Sequence, residues 1–410
     1  MFSGIQLRHW RQFNEVSIEL DTRMTVLTGE NGAGKTTILN VLSRHFGWNL
    51  QLISTPLPIS KRRANQLWSD VWDMLRSDLT VQPQSTEVGT IRYRNGEECR
   101  LMAPQRADQA QYSLSYSGQQ QVLGLHIPSH RPSFAYHRIT SIPTDPKTSQ
   151  QQYQQYQDIL LQLYQSERSQ NPGSTLKQSL ISLAVFGHGS EAVAENPEYR
   201  RMFQEFQHVL SILLPPVIGF KRLEIRMPDI VLITESGDFS LDAASGGVGA
   251  IVGMAWQIFM YGQDNDEFVV TIDEPESHLH PSMQRELLPN LFKAFPKTQF
   301  IVATHSPFIV TSSTQSQVYV LVFNEQRRVD SSHLETAELS GTANETLREI
   351  LGVPISVPIW VEERLKQIVD KYEYRELTTN LLQELKKELI SNDLGFLLPD
   401  AVSRLGRADA

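Results

Sequence analysis

Apolar residues in this chain fall into two kinds of pattern. Ile5–Leu7, Val16–Leu20 and Met24–Leu27 read as strands near the amino terminus, and Phe268–Ile272 and Phe300–Ala303 are unbroken apolar and β-branched runs far downstream. Unbroken runs of this length suit strands buried on both faces of a parallel sheet. After Met24–Leu27 comes a glycine-rich turn and then Lys35–Leu42, which reads as a helix; Leu67–Leu75 also has helical spacing. Val88–Arg94 and Glu97–Met102 flank Asn95-Gly96, a strong hairpin signal, and Tyr112–Tyr116 and Gln121–Ile127 extend the β-rich stretch. Ile142–Ser149 reads as a loop. Gln150–Gln170 is glutamine-heavy, yet Tyr153, Tyr156, Leu160 and Leu163 recur at helical spacing and predict an amphipathic helix. Helical character continues through Leu176–Phe186 and Tyr199–Leu214 until Pro215-Pro216 stops it. Strands return at Arg222–Arg226, Ile230–Thr234 and Phe239–Leu241, and Val248–Tyr261 predicts a buried helix. The stretch from Asn344 to Ile390 reads as charged helix.

Composition narrows the class. With 40% hydrophobic and 20% charged residues in 410, the chain can bury a large core, so wholesale disorder is excluded. A net charge of −9 excludes a uniformly basic nucleic-acid binder but leaves room for a local patch. Lys61-Arg62-Arg63 is the tight basic run, and it reads either as a DNA-facing edge or as a solvated face. A single cysteine, Cys99, excludes an internal disulfide framework and a cysteine-based zinc cluster. Met1–Trp10 has no signal-peptide apolar block, and Val248–Tyr261, interrupted by Gln257, is too short to span a bilayer. A cytoplasmic protein without a membrane partner is expected.

Two motifs carry the chemistry. Gly29-Glu30-Asn31-Gly32-Ala33-Gly34-Lys35-Thr36 fits the pattern G-x-x-x-x-G-K-[ST] in full, between a strand and a helix. Glycines let such a loop point its N–H groups at phosphate oxygens; the lysine reaches the terminal phosphates and the hydroxyl of Thr36 can bind Mg²⁺. Thr37 supports the loop. Phe268–Ile272 then ends in Asp273-Glu274. An acid at the tip of a buried strand is placed to hold Mg²⁺ through Asp273, and Glu274 to orient or activate the attacking water.

With these residues the chain resembles the ABC-type ATPases, in particular the RecF/SMC-like branch. Ala244-Ser245-Gly246-Gly247-Val248-Gly249 looks like the signature motif at a helix start, and Ala303-Thr304-His305-Ser306-Pro307 like the switch histidine, His305. Glu274-Pro275-Glu276-Ser277-His278-Leu279-His280-Pro281 stands in the place of the D-loop. The form of these last two segments resembles the stand-alone ATPases akin to the OLD family and the Septu-type defence ATPases. No Toprim nuclease site is found after His305: Val361-Glu362-Glu363 lies on a helical segment.

The resemblance implies an α/β fold, a P-loop NTPase of the ABC head type, with a mixed β-rich and helical insertion and a helical C-terminal tail. The expected division is 1–45 as the first part of the ATPase domain, 46–140 as a β-rich insertion, 141–216 as a helical insertion, 217–330 as the second part of the ATPase domain and 331–410 as a helical region. It implies ATP and Mg²⁺ as cofactors and an ATP-sandwich homodimer, or a larger assembly of the same chain. Each pocket would combine Asn31, Gly32, Ala33, Gly34, Lys35, Thr36, Thr37, Asp273, Glu274 and His305 of one copy with Ser245, Gly246 and Gly247 of the other. A partner effector, such as a nuclease, is expected; DNA contact stays open, as does the choice between anti-phage defence and DNA repair. The alternatives are an OLD-type nuclease with an unrecognised metal site and a DNA-binding RecF/SMC-like repair ATPase acting directly on DNA. Two assignments remain divided: the family's glutamine loop falls at His126–Pro132, where Ser129 or His130 substitutes or else the glutamine lies elsewhere, and Arg8, Arg11 and Phe13 read equally as base contacts or as structural residues.

Overall fold

The computed structural model describes residues 1–56, 67–71, 85–104, 106–107, 110–131, 135–165, 171–334, 359–372 and 378–407. Lys61-Arg62-Arg63 and Pro132 lie outside the described residues. The chain separates into two compact units, Met1–Thr346 and Leu347–Ala410.

The first unit is built on strands β1 (Phe2–Trp10), β2 (Phe13–Glu19) and β3 (Met24–Gly29), then β4 (Leu52–Ile53), β5 (Thr55–Pro56), β6 (Leu67–Trp68), β7 (Ser85–Tyr93), β8 (Glu98–Pro104), β9 (Arg106–Ala107), β10 (Gln111–Tyr112), β11 (Ser115–Ser117) and β12 (Gly124–Ile127). Downstream come β13 (Phe220–Arg226), β14 (Asp229–Thr234), β15 (Phe239–Ser240), β16 (Val269–Asp273), β17 (Gln299–Ala303), β18 (Gln317–Phe323) and β19 (Val329–Leu334). Eleven of them form one sheet in the order β11-β8-β7-β1-β2-β19-β18-β3-β17-β16-β12. Its halves differ in kind. From β12 through β16, β17 and β3 to β18 every pairing is parallel, and every residue of β3, β16 and β17 is buried. The β2-β1-β7-β8-β11 half is antiparallel, and Asn95-Gly96 makes its tight turn, with Gly96 at φ +85.

Helices α1 (Lys35–Ser43), α2 (Ser149–Gln165), α3 (Pro172–His188), α4 (Pro197–Leu213), α5 (Gly246–Gly262), α6 (Pro281–Ala294) and the short α7 (Pro307–Val310) accompany the sheet. Ile38, Leu39 and Leu42 of α1 join a core with Ile5, Leu7, Trp10, Phe13 and Leu101, so the loop before α1 rests on a fully apolar bed. Buried apolar area of this kind is the main stabilising term of the unit. α5 is buried almost all round, α2 and α4 pack on it, and α3 packs on α4. The apolar run Val248–Tyr261 is therefore a core helix, and no helix of the described residues is long and apolar enough to cross a membrane.

Two expectations change. Leu67-Trp68 is a strand paired with β5 and β9, and Val71 bridges to Trp10, so the helical spacing of Leu67–Leu75 gives way where it is described; residues 72–75 lie outside. A nine-residue helix is weakly stable by itself, and cross-strand partners take up its backbone donors instead. The stretch 46–140 is not a separate β-rich layer: β7, β8, β11 and β12 are hydrogen-bonded into the same sheet as β1 and β16. Likewise 331–334 is the end of β19, a strand of that sheet, rather than the start of a helical region.

The second unit holds three helices, Ile359–Val369, Thr379–Ser391 and Leu398–Arg407. Leu365, Ile368, Leu385, Leu389 and Leu405 meet in its own core, each on the apolar stripe of its helix.

Candidate active site

The loop after β3 owes its shape to glycine. Gly29, Gly32 and Gly34 have φ of +133, +83 and +98, a region L side chains rarely adopt. At Gly34 space adds to conformation: a Cβ there would collide with the Gln12 amide and the Phe13 ring. Gly34 caps α1, whose first residues are Lys35 and Thr36. Asn31, Gly32 and Thr36 are exposed, Ala33 is buried and Thr37 is half-buried. The Lys35 ammonium donates to the carbonyls of Gly29 (2.8 Å) and Glu30 (3.0 Å), closing the loop on itself. Burial lowers its pKa, and the charges of Asp273, Glu274 and Glu276 oppose that shift.

β16 lies beside β17, which lies beside β3, so the tips of all three strands emerge together. Asp273 ends β16, and the Thr36 hydroxyl donates to its Oδ2 at 2.8 Å. The other oxygen, Oδ1, is buried and has no hydrogen-bond partner among the described residues. Burial pushes the Asp273 carboxyl from its ordinary 3.8 up to about 6, against the Thr36 hydrogen bond and the Lys35 charge. An orphaned carboxylate oxygen beside a threonine hydroxyl is a hard, all-oxygen donor set, which fits Mg²⁺ rather than a soft or nitrogen-seeking metal. Among the described residues no group of three or more His, Cys, Asp or Glu forms a separate metal cluster, and His280 caps α6 instead.

Glu274 has φ +46, a left-handed conformation that costs a non-glycine residue about 1–3 kcal/mol. Its N–H donates to the Ala303 carbonyl at 2.8 Å, and its carboxylate stands 3.6 Å from His305 Nδ1. His305 is half exposed at the tip of β17. Buried Glu276 orders that tip: its Oε1 accepts from the Thr304 hydroxyl (2.7 Å) and the His305 N–H (3.0 Å) and lies 3.4 Å from His305 Nδ1.

The structure brings Lys35, Thr36, Asp273, Glu274 and His305 together and holds the Ser245 turn apart. Ser245 and Gly246 are exposed, and the Ser245 hydroxyl accepts from Val248 N–H as the N-cap of α5. Gly247 packs under the next loop, where a Cβ would meet the His278 carbonyl at 2.9 Å. Among the described residues no hydrogen bond joins the Ser245 turn to the loop 29–36.

The base-contact candidates resolve unevenly. Phe13 is wholly buried beneath Gly34 and against Trp10, so it is a wall of the loop and not a stacking surface. Arg8 is exposed and pairs with Glu15 at 3.4 Å. Arg11 has φ +52, and its N–H donates to the Asp70 carbonyl. The loop after β12 places Arg131 against Glu274, Pro275 and Ser277, through their carbonyls. Gln12, Arg131 and Glu276 were not singled out from the sequence, because each acts on backbone far away along the chain. The place of Arg131 beside the expected glutamine loop was the one available signal.

Residues 5–64 match the family "AAA domain", and residues 236–311 match "AAA domain, putative AbiEii toxin, Type IV TA system". A Septu protein PtuA of Bacillus mycoides is 37% identical over 92 residues, 21% of this chain and 13% of that one. A second Septu protein PtuA, of Bacillus thuringiensis, is 20% identical over 85% of this chain and 84% of its own. A protein of Escherichia coli named "Retron Ec83 probable ATPase" is 30% identical over 30% of this chain and 19% of its own. The matched stretch thus spans about an eighth of the Bacillus mycoides relative and a fifth of the Escherichia coli one. Two stretches of the chain thus match AAA-domain models, and over most of its length the chain is similar to a Septu protein.

Proposed function

We propose that this chain binds Mg·ATP in the loop 29–36 and hydrolyses it to ADP and phosphate, with Glu274 as general base. The supporting observation is the Thr36–Asp273 hydrogen bond beside an orphaned Asp273 oxygen, with Glu274 the next residue and His305 beside it. Thr36 and Asp273 would hold Mg²⁺, which neutralises charge on the β- and γ-phosphates. The Lys35 ammonium, now held by two loop carbonyls, exchanges them for phosphate oxygens, and the N–H groups of Asn31–Thr37 point at the same phosphates. The Glu274 carboxylate takes a proton from the attacking water, and His305 hydrogen-bonds that water or the γ-phosphate.

Ser245, Gly246 and Gly247 complete the pocket of a second copy in this reading. The exposure of Ser245 and Gly246, with no link to their own chain's loop, favours that arrangement. ATP binding closes the pair, hydrolysis opens it, and the change is passed to an effector protein, such as a nuclease, in anti-phage defence. The names of the relatives support that role, and the cytoplasm is its expected compartment. Light scattering of Glu274→Gln with Mg·ATP tests the pairing: a doubled mass is expected, and a monomer that holds ATP overturns it. Calorimetry of Lys35→Ala tests the loop, because ATP affinity equal to wild type would remove it from the site.

A further inference from the structure

Arg131 is buried in the loop that follows β12, the edge strand beside β16. Its Nη2 donates to the carbonyls of Glu274 (2.8 Å), Pro275 (3.3 Å) and Ser277 (3.4 Å). Glu274 is the residue whose backbone is left-handed, and its N–H is fixed on the Ala303 carbonyl. An unfavourable conformation persists where surrounding bonds over-determine it. Here those bonds grip both sides of one residue: β17 holds the N–H, and Arg131 holds the C=O.

We infer that Arg131 is a positioning residue for hydrolysis, holding the Glu274 backbone in the conformation that aims its carboxylate at the attacking water. The inference rests on the ATPase reading above. A guanidinium suits the task, since it stays charged at every working pH and its long side chain brings Nη2 to three converging carbonyls. Beside Arg131 is a space of about 20 Å³ lined by Pro128, Tyr156, Gly249, Gly253 and Gln257, room for no more than one water. Lys35 and Thr36 bond to Gly29, Glu30 and Asp273, so nucleotide affinity is expected to rest on that loop rather than on Arg131.

The test is a double-mutant cycle on single-turnover hydrolysis, with ATP affinity followed by calorimetry. Arg131→Ala should keep ATP affinity within about threefold and lower the rate at least tenfold, toward the roughly 100-fold that a 1 Å misplacement costs. Arg131→Lys, which keeps the charge with a single point donor, should fall between the two. In a Glu274→Gln background Arg131→Ala should change the residual rate less than about twofold, because the group it positions has already lost its function. Equal fold losses in both backgrounds would show a merely structural role and overturn the inference, as would a wild-type rate in Arg131→Ala. If Arg131→Ala does not fold, the same cycle run with Arg131→Lys decides by the same criterion. A wild-type chain that neither binds nor hydrolyses ATP would overturn the ATPase reading itself, whereas an active wild type with multiplicative losses overturns only the role of Arg131.

Discussion

Asp273 carries a cost in the metal-free protein, and removing its charge exposes it. The carboxyl is 3% exposed, one oxygen has no partner, and its pKa stands near 6 against an ordinary 3.8. Ionising it in the native state costs roughly 3 kcal/mol relative to the unfolded chain. Asp273→Asn keeps the shape and an oxygen for the Thr36 hydroxyl. That ionisation cost already includes the attraction of Lys35, so the variant should be about 3 kcal/mol more stable at pH 8 with no nucleotide or metal. For a 346-residue unit that is roughly 4 °C in melting temperature, at about 2.1 cal/mol/K per residue. The sign with pH is fixed. Below pH 4 both states of the wild type are protonated at this group and the variant has no advantage. From pH 4 to 6 the native carboxyl keeps its proton while the unfolded one has lost it, so wild-type stability falls as pH rises. Above about pH 6 the deficit is complete. Melts in EDTA at pH 5 and pH 8 measure this directly. Adding Mg·ATP at about 1,000 times its Kd should reverse the order, because it stabilises the native state by about 4.1 kcal/mol and the variant has lost that ligand's metal site. A variant less stable than wild type at pH 8, or an advantage equal at both pH values, would refute the reasoning.

Lys177 is 1% exposed and bonded to Asp242, to Asp229 (2.9 Å) and to the His137 carbonyl (2.9 Å), so it ties α3 to the turn before Ser245. Lys177→Met should cost about 3–5 kcal/mol in urea unfolding by stranding buried carboxylates. Burial opposes the Lys177 charge, but the hydrogen bonds from Asp242 and Asp229 outweigh it and raise its pKa. That loss should thus stay constant across neutral pH and shrink only above the ordinary lysine range. Gly34→Ala should lower stability by about 1–3 kcal/mol and abolish ATP binding by calorimetry, because the new methyl meets Gln12 and Phe13 in a left-handed conformation.

The parts of this site that were legible in the sequence are those whose residues are neighbours in the chain. A glycine loop between strand and helix, and an acid pair after an apolar run, state their geometry locally, and the structure places Lys35 and Thr36 at the start of α1 beside the strand tips that carry Asp273, Glu274 and His305. What escaped depends on distant pairings. β1 pairs with β7 and β12 with β16, so 46–140 reads as an insertion in order along the chain although its strands complete the main sheet. Arg131 reaches Glu274 only because β12 lies beside β16, and its neighbours Ser129 and His130 drew attention by type alone. Phe13 looked like a base platform for its place in the first strands, but an aromatic ring under a close-packed glycine turn is worth more as core.

The most direct measurement is phosphate release under saturating Mg·ATP by the wild-type chain and by Glu274→Gln at matched ATP occupancy. Removing a general base costs roughly 10²- to 10⁴-fold, so the account predicts Mg²⁺-dependent turnover in the first and at least 100-fold slower release in the second, with ATP still bound. Equal rates in the two proteins would contradict it.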